Sequence, residues 1–138
     1  MPTILFVCTG NTCRSPMAEA VFLHDYAQLG WTARSAGLFA LGEPISYNAA
    51  EALKERGYTA PCRVSVQLTE EAVREADLIV GISSSHASRI KMMFPYAKDK
   101  IISMPTDISD PFGGDITVYR KCLDDICLAL EVLMEKNG

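Results

Sequence analysis

Residues 3–8, TILFVC, form an unbroken apolar and β-branched run that stops at the turn residues Gly10 and Asn11, the pattern of a strand buried on both faces of a parallel sheet. Beyond Pro16, MAEAVFLHDYAQL carries helix formers with apolar residues at Ala18, Val21, Phe22 and Leu29 and halts at Gly30, which predicts a helix opened by a first-turn proline. Trp31 to Ser35 reads as a weak second strand, and AGLFALGEP as a loop before a helix from about Ser46 to Arg56 that ends at Gly57. Thr69 followed by Glu70 and Glu71 is an N-cap with acidic first-turn residues for a helix to about Ala76, after which Asp77-LIVGI reads as another buried strand. Ser83 to Ser85 open a helix that runs to about Met93; Lys100-IISM is a short strand, and PTDISDPFGGD a turn-rich loop. Val118, Cys122, Ile126, Leu130 and Leu133 mark the apolar stripe of a closing helix. Strands alternating with helices predict an α/β fold, a single three-layer domain over 1–138 with a four-stranded parallel sheet, helices on both faces and right-handed crossovers.

Length and composition narrow the function classes. The 138 residues suit one domain, and 49% hydrophobic with 22% charged residues is an ordinary globular balance. Thirteen Lys and Arg against 17 Asp and Glu give a net charge of −4, which argues against nucleic acid as a partner while leaving room for a local basic pocket. No run approaches the roughly 20 apolar residues of a membrane span, so no membrane partner is expected. Five cysteines lack framework spacing, and MPTILFVCTGN carries no basic leader, so a cytoplasmic monomer with reduced thiols is expected. His24 and His86 stand alone and no C-x-x-C exists; both histidines read as surface or amphipathic-helix residues, and neither metal nor cofactor is expected.

The chemistry concentrates in the first loop, Cys8-Thr9-Gly10-Asn11-Thr12-Cys13-Arg14-Ser15. It joins a buried strand to a helix start, where open α/β sheets bind ligands. It lacks the G-K-[ST] ending of a nucleotide-binding loop and the G-x-G-x-x-G fingerprint. Instead a cysteine at the strand end is followed six residues on by an arginine and then a serine. Successive N–H groups running into a helix N-terminus form an anion nest that holds phosphate oxygens and favours a thiolate. The Arg14 guanidinium can fork onto two phosphoryl oxygens, and Ser15 can donate to the thiolate. A lone strand-end cysteine is by default a small buried apolar residue, but such a residue needs neither Gly and Asn next to it nor an Arg-Ser-Pro helix start.

VCTGNTCRSPMAEAVF resembles the signature of the low-molecular-weight protein phosphatases, and the resemblance continues at Arg34-Ser-Ala-Gly37, Gln67-Leu-Thr69, Ala76-Asp-Leu-Ile-Val80 and Asp110-Pro-Phe-Gly113. It implies Cys8 as nucleophile, Arg14 as binder of the phosphoryl oxygens and Asp110 as general acid, with phosphorylated proteins as substrates and inorganic phosphate as product. Thr9, Gly10, Asn11, Thr12, Cys13, Ser15 and Phe112 then line the substrate site, and Ser35 and Pro111 support it. The chain departs from the family between Ala60 and Gln67: many members have a His and an Arg where Arg63 and Val66 stand. If the family's His helps to fix the loop asparagine, Arg63 has to replace it or that support is lost, and Arg63 is not counted among the site residues.

Tyrosine-directed members generally have a bulky apolar residue where Thr12 stands and two aromatic residues after Asp-Pro; here the sequence is Phe112-Gly113-Gly114. Protein-arginine phosphatases, a bacterial branch of the family, read CTGNTCRS and DPFGG as this chain does. A hydroxyl in the wall suits a planar polar guanidinium better than a phenyl face. Phosphoarginine on proteins is therefore the expected substrate, with a protein-tyrosine phosphatase as the alternative. An arsenate reductase shares the loop but needs two relay cysteines, and 80–93 contains none, while Cys62, Cys122 and Cys127 are badly placed. A phosphopeptide-binding module without catalysis would lack the nucleophile or the acid, and both are present. Cys13, beside the nucleophile in a tight loop, suggests reversible oxidation to a Cys8–Cys13 disulfide.

Overall fold

A computed structural model describes residues 2–137; Met1 and Gly138, the two ends of the span read as one domain, lie outside the described residues. Four strands, β1 (Thr3–Cys8), β2 (Thr32–Gly37), β3 (Leu78–Gly81) and β4 (Ile101–Ser103), form one parallel sheet in the order β2-β1-β3-β4. Five α-helices accompany them: α1 (Arg14–Asp25), α2 (Tyr47–Glu55), α3 (Glu70–Glu75), α4 (Ser84–Met93) and α5 (Ile116–Asn137). The expected α/β architecture is the observed one.

The period of the strands explains the layering. Ile4, Phe6 and Cys8 of β1 point to one face with Val80 and Ile82, where α1, α2 and α5 cover them. Leu5 and Val7 point to the other with Ile79 and Ile101, where α3 and α4 pack. From Ile4 to Cys8 β1 therefore has no polar position to offer, which is why its sequence there is continuously apolar. Each large side chain buried on these faces contributes about 1.5–3 kcal/mol. Because β1 leads into α1 on one face and β3 into α4 on the other, the two chains diverge beyond the carboxyl ends of these neighbouring strands. A crevice opens there.

Three local expectations are corrected. α1 begins at Arg14, two residues before Pro16, because a proline in the first turn lacks only an N–H that has no helical partner anyway. It ends at Asp25; the chain tightens into a 3-10 turn over Ala27–Leu29, and Gly30, at φ 77°, closes that turn rather than the helix. β2 covers Thr32–Gly37 rather than 31–35. In α5 the inward stripe runs through Tyr119, Cys122, Leu123, Ile126, Ala129, Leu130 and Leu133, while Val118 is 45% exposed. Asp115 takes the Val118 N–H on its carboxylate at 3.1 Å, so Val118 lies in the capped first turn, turned away from the sheet. Among the described residues no helix is long and apolar enough to cross a membrane.

Candidate active site

The loop between β1 and α1 is built around its own backbone donors. The N–H groups of Thr9 to Cys13 find no partner among the described residues, and Cys13, the N-cap of α1, contributes no side-chain cap. At Asn11 and Cys13, which are buried, such donors are costly unless something else supplies the acceptors. Asn11 adopts φ 58°, the left-handed region in which asparagine is tolerated. Gly37 lets the loop sit against β2: a Cβ there would come within 2.7 Å of the Thr9 carbonyl oxygen and 3.1 Å of the Asn11 backbone nitrogen.

Around this nest stand the expected side chains. Cys8 is buried at the end of β1, its Sγ 2.9 Å from Ser15 Oγ. Arg14 is buried as well; Nη1 donates to the Ile108 carbonyl at 3.0 Å, and Nη2 lies 3.7 Å from Asp110 Oδ2. Asp110 is half-exposed, and its Oδ1 accepts the Phe112 N–H at 3.0 Å. Cys8, Thr9, Gly10, Asn11, Thr12, Cys13, Arg14, Asp110 and Phe112 line one cleft of about 310 Å³. Ser15, Ser35 and Pro111 are buried behind it. The Cys13 thiol faces Tyr119 Oη at 3.4 Å and Ser46 Oγ at 3.5 Å.

Arg63, not counted from the sequence, belongs to the site's support. Its Nη1 donates to Asn11 Oδ1 at 3.3 Å; Nη2 donates to Ser35 Oγ at 2.7 Å and pairs with Glu19 Oε1 at 2.6 Å. The Val66 N–H reaches the same Asn11 oxygen at 2.9 Å. Asn11 Nδ2 in turn donates to Ser15 Oγ and Ser35 Oγ, both at 2.9 Å. Phe39, Leu41 and Glu43 also line the cleft; two exposed apolar residues in a Gly- and Pro-bounded loop were the available signal for them.

His86 is a second correction. It is 5% exposed rather than a surface residue. Its Nδ1 accepts the Ser83 N–H at 3.2 Å, and Nε2 meets Thr9 Oγ1 at 3.0 Å. Burial, with Arg14 nearby, pushes its pKa down to about 4. Cys122 is buried and its pKa raised by that burial to about 12, as suits an inert core thiol. His24 is exposed on α1. Among the described residues no three His, Cys, Asp or Glu side chains come together as metal ligands.

A thiol at a strand end, an open ring of N–H groups, an arginine fork and a facing carboxyl are the parts of a cysteine-dependent phosphatase. The chain belongs to the low molecular weight phosphotyrosine protein phosphatase family, which residues 3–137 match. It is 43% identical to the protein-arginine-phosphatase of Geobacillus stearothermophilus, across 96% of this chain and 94% of that one. It is 34% identical to the low molecular weight protein-tyrosine-phosphatase PtpB of Staphylococcus aureus, across 89% and 90% respectively. A structure of YwlE arginine phosphatase, a mutant with a phosphorylated active-site serine, superposes with a TM-score of 0.90 at 38% identity, covering 97% of this chain and 94% of that one.

The buried His86 generates a stability prediction. Its folded-state pKa of about 4 lies below the ordinary 6.5, so between these values the unfolded chain binds the proton and the folded chain does not. Its contribution is complete above pH 6.5 and is lost as pH falls toward 4, on the order of 3 kcal/mol in all. Urea denaturation from pH 7 to 4 is expected to show this loss in the native protein and not in His86→Asn; parallel curves would exclude it.

Proposed function

We propose that residues 1–138 act as one monomeric, cytoplasmic protein-arginine phosphatase that needs neither metal nor cofactor and binds neither nucleic acid nor membrane. The observation that carries the substrate class is the wall of the cleft. Thr12 stands half-buried in it with a hydroxyl, where an aliphatic side chain would favour a phenyl face. Beyond Phe112, Gly113 sits at φ 82° in a turn with open space where a side chain would stand, and Gly114 is packed against Val118, so no second aromatic ring follows Phe112. The relatedness to protein-arginine phosphatases supports the same reading.

In the first step the Cys8 thiolate attacks phosphorus; the S–P bond forms as the P–N bond breaks, and Asp110 gives its proton to the leaving guanidine nitrogen. The backbone N–H groups and Arg14 hold the phosphoryl oxygens as charge builds on them. In the second step Asp110 takes a proton from water, whose oxygen attacks phosphorus, and inorganic phosphate leaves as the Cys8 thiolate is restored. Cys8→Ser is expected to bind phosphate without turnover, and Asp110→Asn to lose a factor of about 10² to 10⁴. Arg14→Lys should be equally severe, because an ammonium cannot make the fork. Steady-state assays check all three, and full activity in Cys8→Ser would discard the mechanism.

Substrate class is tested by kcat/KM for matched phosphoarginine and phosphotyrosine peptides. The native protein is expected to prefer phosphoarginine, and Thr12→Ile to shift the ratio toward phosphotyrosine by about 1–3 kcal/mol, the worth of one wall contact. A native preference for phosphotyrosine overturns the assignment. That second reading draws on the exposed apolar rim of Phe39, Leu41 and Phe112, against which a phenyl ring would pack, and on the relatedness to PtpB.

The placement of Cys13 in the same cleft also supports reversible oxidation. Peroxide takes Cys8 to the sulfenic acid; the Cys13 thiol, released from Tyr119 and Ser46, attacks that sulfur, and water leaves as the disulfide forms. After brief peroxide treatment, dithiothreitol should restore activity to the native protein and much less to Cys13→Ser. Equal recovery rules the disulfide out.

A further inference from the structure

Resting on the reading of Asp110 as general acid, we propose that the first turn of α4 clamps the acid-bearing loop to the nucleophile's loop, with Asp107, Ser84 and His86 acting as positioning residues. The loop between β4 and α5 has little else to fix it. Among the described residues the Asp110 carboxylate accepts a hydrogen bond only from Phe112, two residues on, and stands 3.7 Å from Arg14 Nη2, too far for a hydrogen bond. Its position is therefore inherited from the backbone before it.

Besides a 3.8 Å contact from the Cys122 thiol to the Ser109 carbonyl, that backbone has two sets of attachments. From one side, the Ile108 side chain is buried in the core and its carbonyl accepts from Arg14. From the other, the exposed Asp107 carboxylate spans the first residue of α4, taking the Ser84 N–H on Oδ1 at 2.8 Å and the Ser84 hydroxyl on Oδ2 at 3.1 Å. An anion on an N–H group at the positive end of a helix makes a strong, directional contact. Of the polar contacts among these, the Arg14 one competes with phosphate, because Arg14 is also the group that turns its fork to the phosphoryl oxygens, whereas the Asp107 clasp does not.

α4 is tied to the nucleophile by the imidazole. Because the Ser83 N–H can only donate, Nδ1 of His86 is the unprotonated nitrogen, so Nε2 carries the hydrogen and gives it to Thr9 Oγ1. Thr9 directly follows Cys8. One side of the clamp thus ends next to the nucleophile and the other three residues before the acid. This matters at the topological switch, where β1 and β3 send their helices to opposite faces and no main-chain ladder continues between the two loops.

The test separates positioning of the acid from general support. kcat/KM is measured for a phosphoarginine peptide, phenyl phosphate and 2,4-dinitrophenyl phosphate, the last with a leaving group that departs without a proton. Asp107→Ala is expected to lose about 10- to 100-fold on the first two and less than about 2-fold on the third. Ser84→Ala, which keeps the N–H contact, should show a smaller loss of the same selectivity, and Asp107→Asn, which keeps an acceptor for that N–H, should recover most of the activity. His86→Ala should carry the same leaving-group signature as Asp107→Ala. In an Asp110→Asn background, Asp107→Ala should cost nothing further. A uniform loss on all three substrates, or an undiminished loss in that background, overturns the clamp. Separately, an Asp110→Asn protein that handles phenyl phosphate normally overturns the reading of the acid itself.

Discussion

Everything in the site depends on one arrangement that folding by itself disfavours: the consecutive backbone N–H groups of Thr9 to Cys13 find no acceptor among the described residues. Such donors normally find carbonyls, and leaving them open costs about 1–3 kcal/mol each when water is excluded. The surrounding structure must therefore hold the loop open from behind. Asn11 in the left-handed region turns the chain, Gly37 permits β2 to touch it, and the Leu38 and Phe39 N–H groups take the Cys8 and Thr9 carbonyls at 2.9 and 2.8 Å. With its carbonyls drawn outward to the strand, the loop has its N–H groups left for an anion.

The hydrogen-bond directions around Asn11 and Ser35 are determined. Val66 N–H and Arg63 can only donate, so the Asn11 oxygen faces them and its amide nitrogen faces Ser15 and Ser35. Ser35, already accepting from Asn11 and Arg63, sends its own hydrogen to Glu19 Oε1 at 2.5 Å. Ser15 accepts from Asn11 and lies 2.9 Å from the Cys8 sulfur and 3.5 Å from the Ala36 carbonyl, so its one hydrogen can turn to the sulfur when that is a thiolate. Glu19 is buried, and Arg63, a third of its side chain exposed, neutralises it; deleting Arg63 would leave the Glu19 charge buried without a partner. A permanently charged Arg63, unlike an imidazole, keeps this network in one state at every pH the protein meets.

The layered sheet, the loop, and the three side chains proposed for the reaction were legible in the sequence because each is a local pattern. Continuous apolar residues report a strand buried on both faces, and Cys-x5-Arg-Ser is read within eight positions. What was not legible is what long-range packing decides. Arg63 reaches Asn11 across 52 positions, and His86 reaches Thr9 across 77; only the family's histidine position hinted at Arg63, and nothing near His86 marks it as bonded to the loop. A histidine three residues after an N-cap serine looks like any helical histidine until the fold buries it. Val118 was misplaced for a different reason: a stripe counted in fours drifts around a helix of 3.6 residues per turn, and its first member fell off the face.

Arg14 joins these levels. It is the first residue of α1, so the helix that packs on β1 also sets the guanidinium's height above the nest. Its Nη1 holds the Ile108 carbonyl and so the acid-bearing loop, while Nη2 points toward Asp110 without bonding it. A carboxyl that has to hold a proton for the leaving group and then take one from water is poorly served by a tight ion pair, which would fix it in its charged form. The 3.7 Å separation leaves the arginine free to turn to the phosphoryl group and the acid free to serve both steps. In the proposed reaction the side chain that would stabilise the charge on phosphorus thereby keeps the acid near without trapping it.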